Sequence, residues 1–177
     1  MSRYICFASD TPFSERPNPH EKLVSVNEAL AMGVENIHSF LLEDGFDRDK
    51  PNVILVADRE VNFDIDRGII EDGGFDDDFS VWIADDMHEI KTEKKNIAVL
   101  DIVRYTDGRA EQIILYLKDH FDQSGEAKIE LWNCWIGSED LGRLVREKIS
   151  IAELSKDTIF ELINHDPLSD LCITVSK

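Results

Sequence analysis

In Ile129-Glu130-Leu131-Trp132-Asn133-Cys134-Trp135-Ile136 the odd and the even positions are both largely apolar. Side chains alternate between the two faces of a strand, so a run of this kind has to be covered on both sides and belongs at the centre of a sheet. The flanking sequence supplies the cover. Residues 97–103 read as a strand, and Asp107 is placed to cap a helix whose Ala110, Ile113, Ile114, Leu117 and Phe121 recur on one stripe. Strand, helix and strand in that order make a βαβ unit. A second unit follows, with strands over residues 145–151 and 171–175 and a helix from Ser155 through Ile159, Phe160, Leu162 and Ile163. Ser150 and Glu153 also have capping-box spacing, which leaves the start of that helix open.

The first half is less regular. Residues 3–8 read as a strand that runs into a loop of turn formers, Ser9, Asp10, Pro12, Pro17, Asn18 and Pro19. Ser25 and Glu28 form a capping box, so a helix starts there, and Val34, Ile37, Leu41 and Leu42 extend or restart it before Asp44-Gly45. The apolar run at residues 53–57 is short enough for a buried strand. Residues 61–65 and 69–70 form a hairpin around Asp66-Arg67-Gly68, and residues 79–84 form another strand. These middle strands are expected to make one antiparallel region. The expected fold is α/β or α+β: one domain over residues 1–177 with a mixed sheet, βαβ units in the C-terminal half and an acidic hairpin region in the middle. A chain of 177 residues can bury a self-sufficient core.

Charge is distributed unevenly. The chain is −18, and the segment from Asp58 to Glu89 holds twelve acids against Arg59 and Arg67, a net −10. Such a balance disfavours direct contact with nucleic acid or anionic lipid, both of which demand clustered Lys and Arg. No apolar stretch reaches the roughly 18 to 20 residues that cross a bilayer. The apolar run near Met1 stops at Ser9-Asp10, too soon for a signal-peptide core, and the expected location is cytoplasmic. Cys6, Cys134 and Cys172 lie far apart within apolar runs and read as buried free thiols.

Chemistry is harder to find. Asp64-x-Asp66-x-Gly68 begins like a calcium loop, but Ile69 stands where the sharp-turn glycine belongs and Phe75 where the bidentate glutamate belongs. Asp76, Asp77 and Asp78 are adjacent, and neighbours on a strand diverge. His88 sits among Asp85, Asp86 and Glu89 without a second histidine at ligand spacing. Phosphate-binding glycine patterns and a G-x-S-x-G elbow are absent. No catalytic residue, metal or cofactor is assigned, and the reading favours a non-enzyme. Trp82 differs from Trp132 and Trp135: it shares a strand face with Ser80 and Ala84, while Phe79, Val81 and Ile83 take the other. An aromatic anchor bordered by acids is how interaction hot spots are built. The expectation is a small acidic protein-binding domain that docks a basic partner through Asp76, Asp77, Asp78, Trp82, Asp85, Asp86 and Glu89. An immunity protein that neutralises a basic toxin is one example of that class. The alternative is a small hydrolase or divalent-metal-dependent enzyme using the clustered carboxylates.

Overall fold

The computed structural model describes residues 2–58, 62–64, 69–71, 74–84, 90–136 and 143–177. The chain resolves into two compact units, Met1–Asn18 with Gly74–Lys177, and Pro19–Gly73. The larger is built on six strands: β1 Ser2–Ser9, β6 Phe79–Ala84, β7 Asn96–Ile102, β8 Lys128–Ile136, β9 Arg143–Ser150 and β10 Ser169–Ser176. Its helices are α2 Asp107–Ser124 and α3 Lys156–Asn164. The smaller holds β2 Glu21–Val24, α1 Val26–Ala31, β3 Ile54–Ala57, β4 Asn62–Asp64 and β5 Ile69–Glu71. The fold is α+β.

The large sheet runs in the order β6-β7-β1-β8-β10-β9. β1 is antiparallel to both β7 and β8, so β7 and β8, which α2 connects, are parallel to each other with β1 between them. β9 and β10, connected by α3, are parallel neighbours. Both expected βαβ units are therefore present, the first split by the N-terminal strand.

Alternation sorts the side chains. Phe7, Leu100, Leu131 and Ile173 join Ile113, Leu117 and Phe121 of α2 and Ile159 and Leu162 of α3 in one buried cluster. Cys6, Val99, Trp132, Cys134 and Cys172 form a second cluster, with Ile90. In β8 Leu131 belongs to the first cluster and Trp132 to the second, as its two-sided apolar pattern requires. Each fully buried aliphatic or aromatic side chain contributes roughly 1.5–3 kcal/mol.

Local signals set the helix ends, with one correction. Thr106, and not Asp107, caps α2: its hydroxyl accepts from the Arg109 N–H at 3.1 Å. Asp107 is the first helical residue, where a carboxylate suits the helix dipole, and it pairs with Lys156 at 3.1 Å. Gly125 ends the helix at φ +67, a left-handed conformation costly for a residue with a Cβ. Ser155 caps α3 with Thr158 in a reciprocal box, and Ser150–Glu153 closes a tight turn before it. Ser25 and Glu28 form the expected box on α1.

Three expectations in the first half fail. Residues 34–42 do not continue a helix; after Gly33 at φ +82 only a short 3-10 turn, Ser39–Leu42, forms, and of its residues only Leu41 is buried. β3 is not a buried strand: among the described residues it pairs only with β2, and it alternates between half-buried and exposed. The middle strands do not form one antiparallel region either, since β3 pairs with β2, β4 with β5, and β6 joins the large sheet against β7. β4 and β5 do pair antiparallel, Phe63 opposite Ile70, but the acidic face expected for that hairpin lies outside the described side chains.

Leu117 is wholly buried, whereas Leu115 on the same helix is 53% exposed. Leu117→Ala is expected to cost about 3 kcal/mol and Leu115→Ala less than about 0.5 kcal/mol, read from urea unfolding midpoints at constant slope.

Candidate functional site

The acids named from sequence separate in the structure. Gly74–Phe75 leads into Asp76 and Asp77, both exposed, and then into Asp78, which has no solvent exposure at all. The Asp78 carboxylate faces the guanidinium of Arg109, equally buried, at 3.2 Å. Arg109 also donates to the carbonyls of Phe75 at 3.0 Å and Arg104 at 3.2 Å, and the second carboxylate oxygen of Asp78 accepts from the Asn18 amide at 2.7 Å. A buried charge is tolerated when it is paired and further hydrogen bonds serve both partners, as these do. Asp78 is thus an internal clasp and not a surface acid. Asn18 is the last residue before the segment Pro19–Gly73, and Asp78 follows shortly after it, so one carboxylate ties the departing chain to the returning chain. A signal for this was present: Arg109 lies four residues before Ile113 on the buried stripe of α2, and a permanent cation in that row demands a buried anion.

Asp76 rests on the first turn of α2. A Cβ built on Gly108 would fall 1.8 Å from an Asp76 carboxylate oxygen, so the absent side chain is what lets the carboxylate lie against the first turn of α2, where the helix dipole suits an anion. The Asp77 carbonyl accepts from Arg16 at 3.0 Å, and the Arg16 guanidinium lies 3.6 Å above the Phe79 ring. Backbone bonds between Arg16 and Val81 extend this attachment along the outer edge of β6.

Trp82 stands on the sheet face away from α2, opposite Val99 of β7, and is 41% exposed. It borders a cleft of about 280 Å³ together with Arg3, Tyr4 and Asp101. Asp101, exposed and paired across from Ser80, is the acid the structure brings to Trp82; its outward position follows from alternation along β7. Asp85, Asp86 and Glu89 lie outside the described residues.

A second polar cluster went unread in the sequence. Ser9 Oγ lies 3.0 Å from His120 Nε2 and donates to Glu126, whose other oxygen accepts from the Asp10 N–H at 2.6 Å. Lys94 lies 3.5 Å from Glu126 and 2.7 Å from Asp10. Serine, histidine and glutamate are the composition of an acyl-transfer triad, but the geometry differs. Hydroxyl and carboxylate both approach the same ring nitrogen, and Ser9 is wholly buried, so no nucleophile faces solvent. The set fastens the loop after β1 to α2 and to the start of β8. Burial, against the raising effect of Glu126, lowers the His120 pKa. Burial pushes Glu126 up, yet its bonds from Ser9, Asp10 and His120, with Lys94 nearby, outweigh that and hold it below the usual range.

The three cysteines are free and buried. The hydrogen bond to Cys134, then burial, pushes the Cys6 thiol up, and burial pushes Cys172 up to about 12, so neither is a reactive thiolate. Among the described residues no group of three or more His, Cys, Asp or Glu side chains is placed to hold a metal ion, and no helix is long and apolar enough to cross a membrane.

Two outcomes are expected. Asp78→Asn leaves Arg109 buried without a counter-charge and should cost about 3–5 kcal/mol, whereas Asp77→Asn should stay within about 0.5 kcal/mol, both by denaturant unfolding. Below the ordinary histidine pKa of about 6.5 the unfolded chain binds a proton that folded His120 refuses until lower pH. Below about 4.3 the same holds for Glu126. Stability should therefore decline as pH falls from about 6.5, and decline again through the carboxylate range, with His120→Gln removing the first decline. Unfolding midpoints between pH 7.5 and 3.5 would show this. Comparison of the chain with protein-family models, with curated proteins and with solved structures returns no match.

Proposed function

We propose that this chain is a protein-binding module whose partner is a basic protein. The observation that carries the reading is Trp82, held on a strand, 41% exposed, and bordering a cleft with Arg3, Tyr4 and Asp101 in a chain of net charge −18. Aromatic side chains on rigid elements supply binding energy at little entropic cost, and surrounding acids steer a cationic partner and raise its association rate. Asp76 and Asp77, exposed before β6, add to that field. An immunity protein that neutralises a cationic toxin, a nuclease above all, is the example of the class that best fits this charge. Asp78 drops out of the docking set because its carboxylate is spent inside the fold.

The test is capture of a partner with the full chain, identification by mass spectrometry, and calorimetric titration of the purified pair. Trp82→Ala should weaken the complex by about 2 kcal/mol or more. Asp76→Asn with Asp77→Asn should slow association and flatten its salt dependence. A purified partner whose affinity responds neither to salt nor to these changes would remove the reading.

A further inference from the structure

The smaller unit carries a surface that the acidic segment alone does not suggest. Among the described residues, eleven large apolar side chains are exposed, and six of them, Leu23, Leu30, Met32, Phe40, Leu42 and Leu55, fall within Pro19–Gly73. That unit is less than a third of the chain, so the concentration is not what scattered surface leucines would give. Two of the six are directly paired. Leu23 of β2 lies opposite Leu55 of β3, and they are 52% and 58% exposed. Alternation puts Glu21 and Ala57, the next pair on that face, beside them, while Val24 on the other face is buried. On that other face Ile54 and Val56 are half-buried and Lys22 is exposed, so the ribbon turns Val24 inward and leaves an aliphatic pair outward.

Charge selects what covers it. Residues 19–73 hold thirteen acids against five bases, a net −8. A second copy would bring −8 against −8, and an anionic lipid surface would be repelled in the same way. We infer that the Leu23–Leu55 face of the β2–β3 ribbon is a docking surface for a cationic amphipathic segment of a partner protein, one row of aliphatic side chains flanked by lysine or arginine. This rests on the reading of the chain as a binder of basic protein, and it assigns the smaller unit a contact of its own beside that of Trp82 on the larger. Aliphatic contact would supply residence time, and the surrounding acids would supply encounter.

The probe is a fluorescein-labelled 18-residue helical peptide of leucine and lysine, compared with the same peptide in which serine replaces every leucine. Binding to the full-length chain is followed by anisotropy. The wild-type protein is expected to hold the leucine peptide at least tenfold more tightly than the serine peptide. Leu23→Ser with Leu55→Ser should abolish that tenfold preference, Leu55→Gln alone should reduce it about threefold, and Trp82→Ala should leave it intact. Both leucines are exposed, so circular dichroism and the unfolding midpoint should be unchanged in these variants. A preference lost with Trp82→Ala and kept without the leucines overturns this placement while the docking reading stands. Equal binding of the two peptides overturns it as well, and a wild-type dimer split by the leucine changes overturns the choice of partner. Failure to bind either peptide overturns this inference and the reading beneath it.

Discussion

Arg109 and Asp78 are both sealed from water, and the polar groups around them are arranged to make that tolerable. Two unit charges leave solvent at a cost that their mutual attraction repays only when every remaining donor and lone pair is also used. The carbonyls of Phe75 and Arg104 take further Arg109 donors, and the amide of Asn18 serves the second Asp78 oxygen. Because Asn18 ends one passage of chain and Asp78 follows another, satisfying the pair also fixes where the chain leaves the large sheet and where it returns. The same loop carries the exposed Asp76 and Asp77, whose positions are therefore a by-product of a buried interaction.

Around the clasp the large sheet has two unlike faces. One is filled by α2 and α3, and its side chains from β1, β7, β8 and β10 make the principal core. The other gathers the three cysteines, Trp132 and Val99 into a smaller cluster, with Trp82 toward the β6 edge half open to solvent. Among the described residues this face is the less covered of the two, which is why the proposed docking is placed there. Trp82 belongs there because β6 is an edge strand whose outer side is secured at Val81 by Arg16, leaving its ring to border a cleft and not the core.

Legibility followed burial. β8 could be read because apolar residues of both parities admit only a two-sided strand, and α2 because its apolar stripe is regular, although its cap falls one residue before the one expected. The Ser25–Glu28 box was read for the same reason, since a cap is a local bond between residues three apart. β2 was missed: Glu21-Lys22-Leu23-Val24 is too short and too polar to signal a strand, and it exists because β3 pairs with it. The 3-10 turn at Ser39–Leu42 replaced an expected helix because spaced apolar residues make a helix only when something receives them, and Phe40 and Leu42 remain exposed.

By its own pattern the sequence determined an α/β or α+β fold with a mixed sheet and two βαβ units, a strand covered on both faces, buried thiols and a strongly acidic balance. These depend on periodicity, on caps spanning three or four residues and on net charge, all of which are properties of neighbours along the chain. Which of three consecutive aspartates turns inward was decided only by the tertiary structure, because Arg109 lies thirty-one residues away on another element. The meeting of Ser9, His120 and Glu126, and the choice of Asp101 as the acid beside Trp82, were decided the same way. A charge reads the same in sequence whether solvent or an ion pair surrounds it; only the fold says which it has.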